Sequence, residues 1–84
     1  MEQTGGTGSA VNLADKLRSR FGLTAAEGRV AVAISEGLSY GEIAGRLSIS
    51  IHTVHTHVKQ IHKKLGVHSN GRAAALMRSL EHQR

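Results

Sequence analysis

The sequence predicts an all-α fold of four helices, with one further short helix in front. Three observations carry that expectation. Apolar residues recur at helical spacing, most clearly Ile51, Val54, Val58, Ile61 and Leu65, at i, i+3, i+7, i+10 and i+14. Two tetrapeptides, Thr24-Ala25-Ala26-Glu27 and Ser39-Tyr40-Gly41-Glu42, have the form of a capping box, in which a hydroxyl and a carboxylate satisfy backbone N–H groups at a helix start. Nowhere does apolar and polar alternation persist as a strand would require, and proline is absent.

Taken in order, Met1 to Ala10 is rich in Gly, Thr and Ser and reads as a flexible tail or linker. Residues 1–20 are expected to carry only a short helix, and residues 21–82 to form the folded domain. Asn12 is placed to cap that short helix, Leu13 to Arg20, and Gly22 to end it. Thr24 and Glu27 open the next helix, with Leu23 stapling its entry. It runs to about Glu36 and turns Val30, Ala31, Ala33 and Ile34 inward. Gly37 stops it, because glycine takes φ > 0 without a Cβ clash. Ser39 and Glu42 open a short helix to about Leu47, with Ile43, Ala44 and Leu47 inward. Ser48-Ile49 is a tight connection, and Ser50 caps the longest helix, which Gly66 ends. Ser69 or Asn70 then caps a last helix to about Leu80, whose inward stripe is Ala73, Leu76, Met77 and Leu80. A short helix, a tight turn and a longer helix form a helix-turn-helix, with Ile49 plugging the angle.

Composition narrows the function. Eighty-four residues make one domain at most. There is no cysteine, which excludes disulfides and thiolate metal sites. No apolar run approaches the roughly 20 residues of a membrane span, and the N-terminus has no secretory signal, so a cytoplasmic protein without membrane contact is expected. The net charge is +5. Residues 1–42 balance Glu2, Asp15, Glu27, Glu36 and Glu42 against Lys16, Arg18, Arg20 and Arg29. From Ile43 to Leu80 there is no acid, only Arg46, Lys59, Lys63, Lys64, Arg72, Arg78 and five histidines. Such asymmetry suits a polyanion, the alternative being an ordinary solvated basic face.

The longest helix concentrates this asymmetry. Opposite its apolar stripe stand His52, His55, Thr56, Lys59 and Lys63, cationic or hydrogen-bonding throughout. This is the pattern of a DNA recognition helix. A major groove admits one helix, and its base edges offer a distinct set of donors and acceptors. Lys59 can donate to guanine O6 and N7, His55 can donate or accept, and Thr56 can offer its methyl to thymine. His52 shares their side and completes the base-reading set. The unpaired N–H groups at Tyr40–Glu42 and at Ile51–Thr53, beside the Ser50 cap, can hold phosphates, since helix N-termini favour anions. Lys63, Lys64, Arg46 and Arg72 would add affinity by counterion release. His57, on the edge of the apolar stripe, is expected to bond a backbone group at the core edge rather than read bases. His62 and His68 suggest no role. His52, His55 and His62 lie near one face, but without cysteines or neighbouring acids they match no zinc spacing, so neither metal nor cofactor is expected. No catalytic residue set is present, and an enzyme is not expected.

At this point the residues become familiar. Leu23-Thr24, Glu27, Val30, Ile34, Gly37-Leu38-Ser39, Glu42-Ile43-Ala44, Leu47, Ile49-Ser50, Thr53-Val54, His57, Ile61, Lys64-Leu65-Gly66-Val67 and Ser69 stand in order. The series resembles the LuxR/FixJ-type (GerE-like) helix-turn-helix domain over roughly Phe21 to Leu80. That resemblance implies a bacterial transcription factor, commonly the C-terminal output domain of a response regulator in a two-component system or of another signal-dependent regulator. It implies a homodimer on double-stranded DNA carrying an inverted repeat, with RNA polymerase as a candidate further partner. By the same resemblance, base reading falls to His55, Thr56 and Lys59. Phosphate contact falls to Ser39, Thr53, Lys63 and the start of the last helix, where Arg72 stands. Dimer contact falls to the last helix, here Ala74, Ala75 and Arg78. Members commonly carry Lys where this chain has His55 and Gly41, and Arg where it has Asn70. The rival readings are a sigma-factor region 4-like domain, which lacks the Lys64-Leu65-Gly66-Val67 tail before a capped helix, and a protein-interaction module on the same fold.

Overall fold

The structure, a computed structural model, describes residues 9–81, with side-chain environments from Leu13 onward. Of the tail expected at Met1 to Ala10, residues 1–8 lie outside the described residues, as do the three C-terminal residues, while Ser9 and Ala10 are helical. Five helices account for the fold: α1 Ser9–Phe21, α2 Ala25–Ser35, α3 Tyr40–Leu47, α4 Ile51–Leu65 and α5 Asn70–Glu81, with no strand among the described residues.

The first helix departs from expectation. It begins at Ser9, so Asn12 lies inside it and is not its cap. Leu13 and Leu17, one turn apart, are fully buried on α2 and α5. Lys16 Nζ donates to the Leu80 carbonyl at 2.8 Å and so ties α1 to the end of α5.

Both capping boxes form. Thr24 Oγ1 accepts from the Glu27 N–H at 3.1 Å, while Glu27 Oε1 accepts from the Thr24 N–H at 3.0 Å. Ser39 and Glu42 repeat the exchange at 3.1 and 2.8 Å. The Ser39 N–H, then the Ser39 hydroxyl, hold the Glu42 carboxyl below its ordinary value, with Arg46 adding its charge and burial opposing slightly. Gly37, at φ 85°, lets α2 turn toward α3. Ser50 Oγ caps α4 by accepting from the Thr53 N–H at 3.0 Å. Gly66, at φ 72°, closes it as the left-handed C-terminal residue. Ser69, not Asn70, opens α5, its hydroxyl accepting from the Arg72 N–H at 3.1 Å.

The core is shared by all five helices. Val30, Ala31 and Ile34 of α2, Ile43 of α3, Val54, Val58, Ile61 and Leu65 of α4, and Ala73, Met77 and Leu80 of α5 are buried together with the α1 leucines. The turn between α3 and α4 places Ser48 in the left-handed region at φ 58°, with its N–H returned to the Ala44 carbonyl. Ile49 then packs half-buried against the core, beside a hollow of about 60 Å³ that it shares with Leu47 and Val30. Its predicted place in the angle of the motif is the place it occupies.

Candidate nucleic-acid interface

The packing of α4 decides which of its side chains meet solvent. Val54, Val58, Ile61 and Leu65 fix one side in the core. His52, His55, Thr56, Lys59 and Lys63 are therefore all exposed, on the opposite side of a rigid helix. Lys59 and Lys63 have no carboxylate partner among the described residues. Thr56 donates its hydroxyl to the His52 carbonyl at 3.2 Å. That leaves its methyl as the group it presents outward.

One residue predicted for the core is instead on the surface. Ile51 is 52% exposed, a large apolar side chain next to His52 and one turn from His55. Its spacing fits the apolar stripe, but periodicity gives only a direction around the helix. It does not say how far along the helix the neighbours reach, and the first residue of α4 lies beyond them.

At the candidate phosphate contacts, the Ser39 and Ser50 hydroxyls accept as caps and retain their own O–H groups. The N–H groups of Tyr40 and Gly41 and of Ile51 and His52 remain without helical partners, as the first positions of any helix must. Thr53 is half-buried and its hydroxyl meets that of Ser50 at 2.9 Å. Arg72 is exposed in the first turn of α5. Of the candidate dimer residues, Ala75 and Arg78 are exposed and Ala74 is half-buried.

Two basic residues expected to attract DNA are engaged elsewhere. Lys64 Nζ donates to Glu27 Oε1 at 2.7 Å and to the Gly22 carbonyl at 3.2 Å, joining the end of α4 to the start of α2. Its charge is matched inside the fold. Arg46 faces Glu36 at 3.4 Å in an exposed, loose pair. His57 sits half-buried on the small hollow under Ile49, at the core edge as expected. It finds no backbone hydrogen bond among the described residues, which corrects that part of the reading.

Sequence reasoning passed over a group of side chains at the α3–α4–α5 junction. His62 Nε2 meets Asn70 Oδ1 at 2.7 Å, and Asn70 Nδ2 donates to the Tyr40 hydroxyl at 2.9 Å. The Tyr40 ring stands edge-on to His55, with centroids 4.8 Å apart and planes at 86°. One signal could have pointed there: His62 has no role on the surface of its helix, and Asn70 stands eight residues on, at the start of the next helix.

Among the described residues no helix is long and apolar enough to cross a membrane, and no group of three or more His, Asp or Glu side chains could hold a metal ion. A sequence model of the bacterial regulatory proteins of the luxR family matches residues 22–77, from Gly22, two residues before the first capping box, to Met77 in α5. No curated protein and no solved structure matches the chain.

Proposed function

The chain belongs to the luxR family of bacterial regulatory proteins, and from that premise we propose that α4 enters the major groove of double-stranded DNA in a sequence-specific regulator of transcription. Domains of this family are DNA-binding regulators rather than enzymes. The observation that carries the finer reading is the exposed face of α4. His52, His55, Thr56 and Lys59 occupy its first half, with Lys63 beyond, no carboxylate among them and the opposite side locked in the core. Base edges are then read by His52, His55, Thr56 and Lys59. Ile51, exposed beside them, adds an apolar surface suited to a thymine methyl.

Phosphates are held by the N-terminal turns of α3 and α4, around Ser39, Tyr40, Ser50 and Thr53, and by Lys63 and Arg72. The DNA-binding domain is taken as residues 21–82, in line with the match at 22–77. It acts as a homodimer on an inverted repeat, through the α5 surface at Ala74, Ala75 and Arg78. Its cellular setting is the cytoplasm, as output domain of a response regulator or similar signal-dependent regulator that works with RNA polymerase.

Selection of duplexes from a random pool by the full chain, at near-physiological salt, tests the reading. Enrichment of an inverted repeat with half-sites about one helical turn apart supports it. Absence of retention overturns it in favour of a protein-binding module. Lys63→Ala is expected to weaken selected and scrambled duplexes alike, by a few-fold, and to lower the slope of log affinity against log salt by about 1 per protomer. Titrations at four salt concentrations check this, and a loss confined to the selected duplex would contradict it.

A further inference from the structure

Three helices meet through one chain of side chains beside the proposed base-reading face. Asn70 Oδ1 can only accept, so His62 Nε2 must carry the proton it shares with it at 2.7 Å. The same amide has a second, donating end. Its Nδ2 turns to the Tyr40 hydroxyl and donates at 2.9 Å. The Tyr40 oxygen therefore accepts, and its own O–H remains available to another acceptor. Past the hydroxyl, the Tyr40 ring meets the His55 ring edge-on at 4.8 Å. His62, Asn70 and Tyr40 are half-buried, whereas His55 is exposed. A supported row of side chains thus ends on a solvent-facing imidazole.

We infer that the His62–Asn70–Tyr40 row is a positioning device: it holds the Tyr40 ring so that His55 is oriented toward the base edges, and leaves the Tyr40 hydroxyl proton for a phosphate oxygen. The inference rests on the reading of α4 as the base-reading helix. A histidine on the surface has two free rotations, and a contact that fixes them before binding reduces what must be ordered on the DNA. Base readout also depends on angle, and a ring held from behind presents the same nitrogen each time. The first residue of α3 and the first residue of α5 are joined by the same row, so the phosphate-facing turn of α3 and the imidazole on α4 keep a fixed relation. Asn70 acts inward here: its amide is used on His62 and Tyr40 rather than on the DNA backbone. His62 and Asn70 touch no base and are positioning residues.

The test uses the full chain and the duplex it selects, together with single base-pair substitutions across one half-site. In the wild-type chain, substitution at the base pair read by His55 should cost about five-fold or more in affinity. His55→Ala identifies that base pair by abolishing its penalty. Asn70→Ala is expected to shrink the same penalty to under about two-fold, while the penalty at the Lys59 base pair and the affinity for scrambled duplex stay as they were. Combining Asn70→Ala with His55→Ala should then add nothing at that base pair. Tyr40→Phe serves where Asn70→Ala folds poorly. It keeps the ring but frees it from Asn70, so it should shrink the His55 penalty and also weaken every duplex by a few-fold. In the free protein, nuclear Overhauser contacts between the Tyr40 and His55 rings should be present in the wild type and lost in Asn70→Ala. A wild-type chain that prefers a sequence, with Asn70→Ala leaving the His55 penalty intact, overturns the positioning role alone. A wild-type chain that binds all duplexes equally overturns the base-reading assignment, and the positioning role with it.

Discussion

Replacing Glu27 with alanine is expected to lower the unfolding free energy by about 3 kcal/mol, within the range for breaking a buried pair by removing one partner. For a domain of this size that corresponds to a fall in melting temperature of more than about 10 °C. Glu27 is the one buried charged residue among those described, at 6% exposure. Its carboxylate serves two neighbours at once. It accepts the Thr24 N–H that opens α2, and it receives Lys64 from the end of α4, 37 residues along the chain. Alanine leaves that N–H without its partner and leaves Lys64, 30% exposed, with only the Gly22 carbonyl. Glutamine keeps an acceptor oxygen and gives up the charge, so Glu27→Gln should cost roughly half as much. Lys64→Ala should cost less than Glu27→Ala, because the carboxylate keeps its Thr24 bond.

The same residue sets a dependence on acid. Burial alone would raise the Glu27 carboxyl, but the Lys64 hydrogen bond, the Thr24 N–H, the Lys64 charge and the Thr24 hydroxyl together hold it below its ordinary value of 4.5. The folded protein therefore binds that proton less readily than the unfolded chain. Its contribution is whole above pH 4.5 and is lost as pH falls from there through the lowered folded value. Urea unfolding at neutral pH and at a pH below 4.5 measures both effects. Wild type should lose stability across that interval, and Glu27→Ala should lose less of it. Equal losses in the two proteins would show that the acid sensitivity lies elsewhere.

Lys59→Ala carries the largest effect expected on binding. The selected duplex should be bound about 10- to 100-fold more weakly per half-site, the worth of one good base contact. Scrambled duplex should be affected far less, and the base preference at one position should relax. Lys59 is exposed two turns into α4, on the same side as His52 and Thr56, and has no carboxylate partner among the described residues. Nothing among the described residues competes for its ammonium group. Titration of both duplexes at one salt concentration decides the matter: equal weakening on the two would make Lys59 a phosphate contact and remove it from the base-reading set. Lys63 makes the useful contrast, since it sits one turn further along the same side and is expected to act on every sequence alike.

These expectations differ in how far the residues alone supported them. Local chemistry was readable. Thr24 with Glu27, and Ser39 with Glu42, announce helix starts because a hydroxyl and a carboxylate three residues apart have few other uses at such a place. Gly66 announces a stop for a similar reason, and the exposed set His52, His55, Thr56 and Lys59 follows from counting around one helix. What resisted reading was everything set by distance along the chain. Lys64 looked like one more cation in an acid-free stretch, and only the fold brings Glu27 to it. Ile51 matches the apolar stripe by angle, yet its neighbours stop short of it. Asn70 looked like a candidate helix cap, whereas tertiary packing puts His62 and Tyr40 on either side of its amide. The start of α1 was not legible because Asn12 has the chemistry of a cap, yet it lies inside the helix.

The tie between Lys16 and the Leu80 carbonyl has a consequence for how the molecule breathes. Terminal helices usually fray separately, each from its own end, because little holds them. Here Leu13 and Leu17 are buried in the same core as Ala73, Met77 and Leu80, and the ammonium group closes the two helices on each other. Detaching α1 uncovers the apolar side of α5, and detaching α5 removes the support of α1. The two should open as one cooperative unit, and their central amides should exchange with solvent deuterium at a common opening free energy. Lys16→Met, which keeps the chain length and removes the donor, should speed exchange in both helices together. Faster exchange in α1 alone would show that the two ends come apart independently.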